Sequence, residues 1–151
     1  MMILENSFPM ERTKDKRFSA FLTAFQLRPD LMKDLQTLIE KRPDLLFGEH
    51  HWRTISENGI NFSFPETGRL HNNVVAFSRI LSGREILCAI NLHHQDDAIV
   101  YVTLDNSLHP SGSRMTCLYA SAPSPGELNV EDRNGKAVRL TIPPGSLVVY
   151  G

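Results

Sequence analysis

The stretch Val74-Val75-Ala76-Phe77-Ser78-Arg79-Ile80-Leu81, turning at Ser82-Gly83 and returning as Glu85 to Asn91, decides the fold. Successive side chains on a strand point to opposite faces. Val75, Phe77 and Arg79 therefore face one way and Val74, Ala76, Ser78 and Ile80 the other, while Ile86, Cys88 and Ile90 share one side of the return strand. Apolar residues on both faces put this hairpin in the middle of a sheet that is covered on each side.

Toward the C-terminus the same β patterning recurs at Ile99 to Leu104, Arg114 to Tyr119 and Glu127 to Glu131. Asp132-Arg133-Asn134-Gly135 then supplies a turn before Lys136 to Ile142, because Asn and Gly tolerate positive φ. Pro143-Pro144-Gly145 interrupts any ladder ahead of Leu147 to Tyr150. On the N-terminal side, Trp52 to Ser56 and Ile60 to Phe64 flank Glu57-Asn58-Gly59, which predicts a tight hairpin, and Pro65 through Asn73 form a polar loop long enough to cross between sheets. With seven to nine strands and few connections long enough for a crossover helix, the sequence predicts a mainly β chain, an antiparallel Greek-key β-sandwich preceded by one or two helices.

The clearer of those helices runs from Pro29 to about Lys41. Proline suits the first turn, where its missing N–H has no intrahelical partner, and Asp30 complements the helix dipole. Leu31, Leu35, Leu38 and Ile39 form an apolar stripe, Lys33, Asp34, Gln36 and Glu40 can face water, and Pro43 stops the helix. Phe18, Phe21, Leu22 and Phe25 share a shorter helical face, and residues 1–16, with Pro9 and a charged run from Glu11 to Arg17, read as an extended arm. The division is thus an N-terminal arm with helices over 1–48 and a β-sandwich over 49–151.

A chain of 151 residues suits one core. The formal net charge of -1 gives no electrostatic reason to expect nucleic acid or an anionic membrane, and no apolar run approaches the roughly 18–20 residues of a bilayer span. The opening Met1-Met2-Ile3-Leu4-Glu5-Asn6 lacks the basic segment and apolar stretch of a secretory signal. Cys88 and Cys117 each lie in a strand among apolar neighbours and read as free thiols, so the expected compartment is cytoplasmic.

Motifs for chemistry are sparse. His50-His51 and His93-His94 are adjacent pairs, whose side chains diverge on an extended backbone and make poor two-ligand clamps; no zinc pattern accompanies them. Glu66, Asp96, Asp97, Asp105 and Asp132 lie in turns without the spaced acidic series of a calcium loop. The acid pairs Asp105 with Glu127 and Asp96 with Glu66 have no apolar setting that would raise a pKa for acid/base work. There is no GxSxG elbow, no GxxxxGK and no strand-linked GxGxxG. The sequence therefore assigns no catalytic residue, no metal ligand and no cofactor. Aromatic faces that can stack on sugar rings are the remaining resource, with Trp52, Tyr101 and Tyr119 as the candidate carbohydrate contacts.

From about residue 17 to 151 the chain resembles the carboxy-terminal portion of bacterial α-amylase-family glycoside hydrolases. The resemblance lies in Leu35 to Gly48 (LQTLIEKRPDLLFG), Trp52 to Gly59, Val74 to Asn91 (VVAFSRILSGREILCAIN), Leu108 to Tyr119 (LHPSGSRMTCLY) and Leu140 to Tyr150 (LTIPPGSLVVY). It implies that the helix corresponds to the last helix of a catalytic barrel and the remainder to the β-sandwich called domain C. Asn6 to Lys14 resembles the loop that leads to that helix. The family's catalytic aspartate, acid/base glutamate and assisting aspartate lie on barrel strands with no counterpart here, so no catalytic role transfers. The resemblance implies a noncatalytic accessory domain, with a small α-glucan-binding module as the alternative. Leu31, Leu35, Leu38 and Ile39 would then have packed on a barrel, which makes them the candidate interface. Each exposed Leu or Ile forfeits roughly 1.5–3 kcal/mol of burial. The expected partner is accordingly the barrel of a parent enzyme or a second copy of the chain, unless the helix folds back onto its own sandwich.

Overall fold

The computed structural model describes residues 28–64 and 74–151. The readings of the N-terminal arm, the Phe18–Phe25 stripe and the 65–73 loop lie outside these residues. Two helices, α1 (Pro29–Lys41) and α2 (Asp44–Phe47), precede β1 (Glu49–Trp52), β2 (Ile55–Ser56), β3 (Val74–Leu81), β4 (Arg84–Asn91), β5 (Ala98–Leu104), β6 (Arg114–Ala120), β7 (Glu127–Asn129), β8 (Lys136–Ile142) and β9 (Leu147–Tyr150). The strands form a six-stranded sheet in the order β1-β3-β4-β9-β6-β7 and a three-stranded sheet in the order β2-β5-β8. Every pairing between them is antiparallel.

The opening hairpin occupies the predicted place. β3 and β4 pair from Val74↔Asn91 to Leu81↔Arg84, and Ser82 and Gly83 take φ values of 52° and 75°, the positive pair that a two-residue hairpin turn needs. Its two faces build two cores. Val75, Phe77, Ile86, Cys88 and Ile90 join Leu147 and Val149 under the helical residues Leu31, Leu35, Ile39 and Leu45. Val74, Ala76, Leu87 and Ala89 pack with Val148 and Tyr150 against Val100, Val102, Val138, Leu140 and Ile142 of the small sheet. Helices, large sheet and small sheet thus stack as three layers, and the hairpin and its neighbour β9 contribute to both cores.

β5 to β8 make the Greek key. β6 and β7 pair with each other in the large sheet, while β8 returns beside β5 in the small one. The turn at Asp132–Gly135 has Asn134 and Gly135 at φ 49° and 88°, and it closes on the isolated Glu131↔Ala137 bridge. That reversal carries the chain from one sheet to the other.

Two predicted strands differ in form. The Trp52 to Ser56 run is a crossing: Arg53 N donates to Ala76 O in the large sheet at 3.0 Å, and Thr54 O accepts from Thr103 N in the small sheet at 3.1 Å. A strand that changes sheets at a corner satisfies its backbone on both sides in turn. The hairpin expected at Glu57-Asn58-Gly59 shrinks to one bridge, Ile55↔Ser63. In place of a ladder, Asn58 Oδ1 accepts from the Ile60 and Asn61 amides, each at 2.9 Å, so a side chain organises the reversal.

Candidate functional site

The candidate interface residues of the helix lie on one face of the large sheet. Along α1, Leu31, Leu35 and Ile39 recur every four residues and are buried on that face, with Leu38 and Met32 partly buried at the margin. Burying the three at roughly 1.5–3 kcal/mol each contributes on the order of 5–9 kcal/mol to seating the helix. Polar contacts fix its direction. Tyr119 on β6 donates its hydroxyl to Asp34 Oδ2 at 2.6 Å, and Arg28 Nη1 reaches Gly145 O at 3.3 Å in the β8–β9 corner. Burial and the Asp34 carboxylate both raise the Tyr119 phenol above its usual range, so it stays protonated and keeps donating. On β3, Arg79 is buried against the Phe77 ring, 5.8 Å from its centroid, and burial brings its pKa down to about 10.

The inter-sheet layer is closed at each end of β4 by a buried polar residue. Glu85 and Asn91 share the strand face of Leu87 and Ala89, about 20 Å apart at 3.4 Å per residue. Glu85 has no exposed side-chain surface. Its Oε2 accepts from Arg53 Nη2 at 2.7 Å, and its Oε1 lies 2.7 Å from His109 Nε2 and accepts from the Asp105 amide at 3.0 Å. Against a carboxylate, His109 Nε2 is the donor. Burial pushes the Glu85 pKa up, but the hydrogen bonds from His109 and Ser78, the Arg53 charge and the Asp105 amide outweigh it and hold the carboxyl below its ordinary range. A carboxylate sealed from solvent and saturated with donors has no capacity left for proton transfer to a substrate. Its role is to hold two crossings, the Arg53-Thr54 step and the β5–β6 loop, against the central hairpin.

Asn91 does the same at the opposite end. Its Nδ2 donates to Asp96 O at 2.9 Å and Ile142 O at 3.0 Å, and its Oδ1 accepts from His93 N at 2.9 Å. The Asn91 amide donates to Ser146 O at 3.0 Å. The residue ties the β4–β5 crossing to the β8–β9 crossing, where Gly145 adopts φ 64° after the paired prolines.

The structure does not gather the three candidate sugar contacts into one platform. Trp52 is half-buried on the helix side of β1, its ring 4.6 Å from His50 and 5.8 Å from Phe77. Tyr119 sits on the same sheet four strand positions away, about 19 Å at the usual spacing, with its hydroxyl committed to Asp34. Tyr101 is on the outer side of the small sheet, with the Arg133 guanidinium 4.6 Å above its ring. Leu31, Leu35 and Ile39, the candidate interface, are covered by the sheet of their own chain, and Leu38 partly so.

Other sequence candidates are equally dispersed. His50 packs among rings on one face of β1, and His51 lies 3.3 Å from Glu49 on the other. His93 Nδ1 accepts from the Asp96 amide at 3.0 Å within its own turn. Asp105 is capped by Ser107, and Glu127 pairs with Arg114 at 3.1 Å. Among the described residues no three His, Cys, Asp or Glu side chains converge as a metal would require, and no helix is long and apolar enough to cross a membrane. Both cysteines are free; Cys88 belongs to the helix-side core and Cys117 packs against the inter-sheet core, so the sheet separates them. Burial pushes the Cys88 thiol up to about 12.

Sequence reading missed the Glu85, Arg53 and His109 cluster because Arg53 and His109 lie 32 and 24 residues from Glu85, on opposite sides of it in the chain. The available signal was Glu85 itself, a charge placed on the face of Leu87 and Ala89.

No protein-family model matches the chain, and no curated protein matches it. Among solved structures, the native form of the Nostoc punctiforme debranching enzyme is similar at 20% identity with a TM-score of 0.48, over 76% of this chain and 19% of that one. An alpha-amylase from H. orenii is similar at 19% identity with a TM-score of 0.44, over 75% of this chain and 18% of that one. The chain spans less than a fifth of the length of either solved protein.

Proposed function

We propose that this chain is a noncatalytic accessory domain of an α-amylase-like carbohydrate-active enzyme, and that its task is to hold a terminal helix of the catalytic barrel on its large sheet. The observation that carries this reading is the helix seat: Leu31, Leu35 and Ile39 lie on the outer face of the six-stranded sheet, fastened through Tyr119 and Gly145. Supporting it, the segments that resemble the last barrel helix and domain C supply the two sides of that contact. Among the described residues the most completely buried carboxylate, Glu85, is engaged in fold closure, which fits a domain without chemistry of its own.

Incubating the purified polypeptide with soluble starch and nitrophenyl maltosides tests the noncatalytic part. No turnover above buffer is the expected result; hydrolysis that a single Asp or Glu substitution abolishes would overturn it. Titration with maltoheptaose to millimolar concentration, followed by Trp52 fluorescence and by chemical shifts at Tyr101 and Tyr119, separates this reading from a glucan-binding module. No saturable change is expected, because the three rings do not share a surface. Sequencing upstream in the same reading frame tests the accessory role itself, with barrel strands bearing the catalytic carboxylates expected and an unrelated domain counting against it.

A further inference from the structure

We draw no further inference here: the strongest candidate, the outer face of the three-stranded sheet where the half-exposed Ile99 and Tyr101 lie beside Arg133, carries nothing because nothing in the structure shows what covers it.

Discussion

Replacing Glu85 by Gln tests whether the clamp at the start of β4 holds the sandwich together. The amide keeps the size of the carboxyl group but removes the charge that faces Arg53 Nη2 and His109 Nε2, both at 2.7 Å. Arg53 retains only 13% of its side-chain exposure and His109 12%, so neither recovers full hydration when its partner is neutralised. Breaking a buried pair from one side costs about 3–5 kcal/mol. At roughly 2–4 °C per kcal/mol for a chain of this size, Glu85→Gln should lower Tm by about 6–20 °C. Urea unfolding followed by Trp52 fluorescence measures the same loss. The pH dependence gives an independent check. Glu85 is held below its ordinary pKa, so its contribution is fully present above the unfolded-state value near 4.5 and is lost as pH falls through the lower folded value. The variant should therefore lose less stability than wild type on acidification through that window. The double variant Glu85→Leu with Arg53→Met should lose less than the sum of its two single variants, because neither charge is left buried without the other, although the His109 and Asp105 donors still lose their acceptor. A Glu85→Gln cost below about 1 kcal/mol, or a double variant whose loss is the sum of the single losses, would refute the clamp.

Three further outcomes follow from the same geometry. Leu35→Ala should destabilise the chain by about 2–5 kcal/mol through a cavity under α1, read by thermal unfolding, and a loss under about 0.5 kcal/mol would mean that the helix is not seated on the sheet. Asn91→Ala strands the buried Ile142 carbonyl and removes the partner of the part-buried Asp96 carbonyl and His93 amide; at about 1–3 kcal/mol for a buried unsatisfied group it should destabilise the chain by at least that amount in thermal unfolding, and amide exchange should quicken at both crossings it ties. At pH 8 in native buffer, Cys88 should resist a thiol reagent until urea unfolds the chain, because burial holds it protonated; rapid native labelling of that residue by peptide mapping would contradict the packing.

Much of the fold was legible because it depends on short-range periodicity. The two-faced Val74 to Asn91 hairpin, the Ser82-Gly83 turn and the Leu31, Leu35, Ile39 stripe are local patterns, and each occupies its expected element. The Trp52 to Ser56 run was harder to read. Its residues suit a strand, and only the positions of Ala76 and Thr103 reveal that the backbone leaves one sheet for the other.

By itself, then, the sequence determined a mainly β, antiparallel chain with a preceding amphipathic helix, since alternation, turn chemistry and helical spacing act over a few residues. Tertiary structure alone decided where the helix goes and what the polar residues are for. Strict alternation puts Tyr119 on the face of Cys117. The register shift between those two residues turns Tyr119 and Leu118 toward the helix instead, where the phenol meets Asp34. The Glu85 and Asn91 clamps likewise exist only once distant crossings arrive at the two ends of β4. A buried charge or amide is stable only beside its partners, and the fold, not the spacing along the chain, brings those partners together.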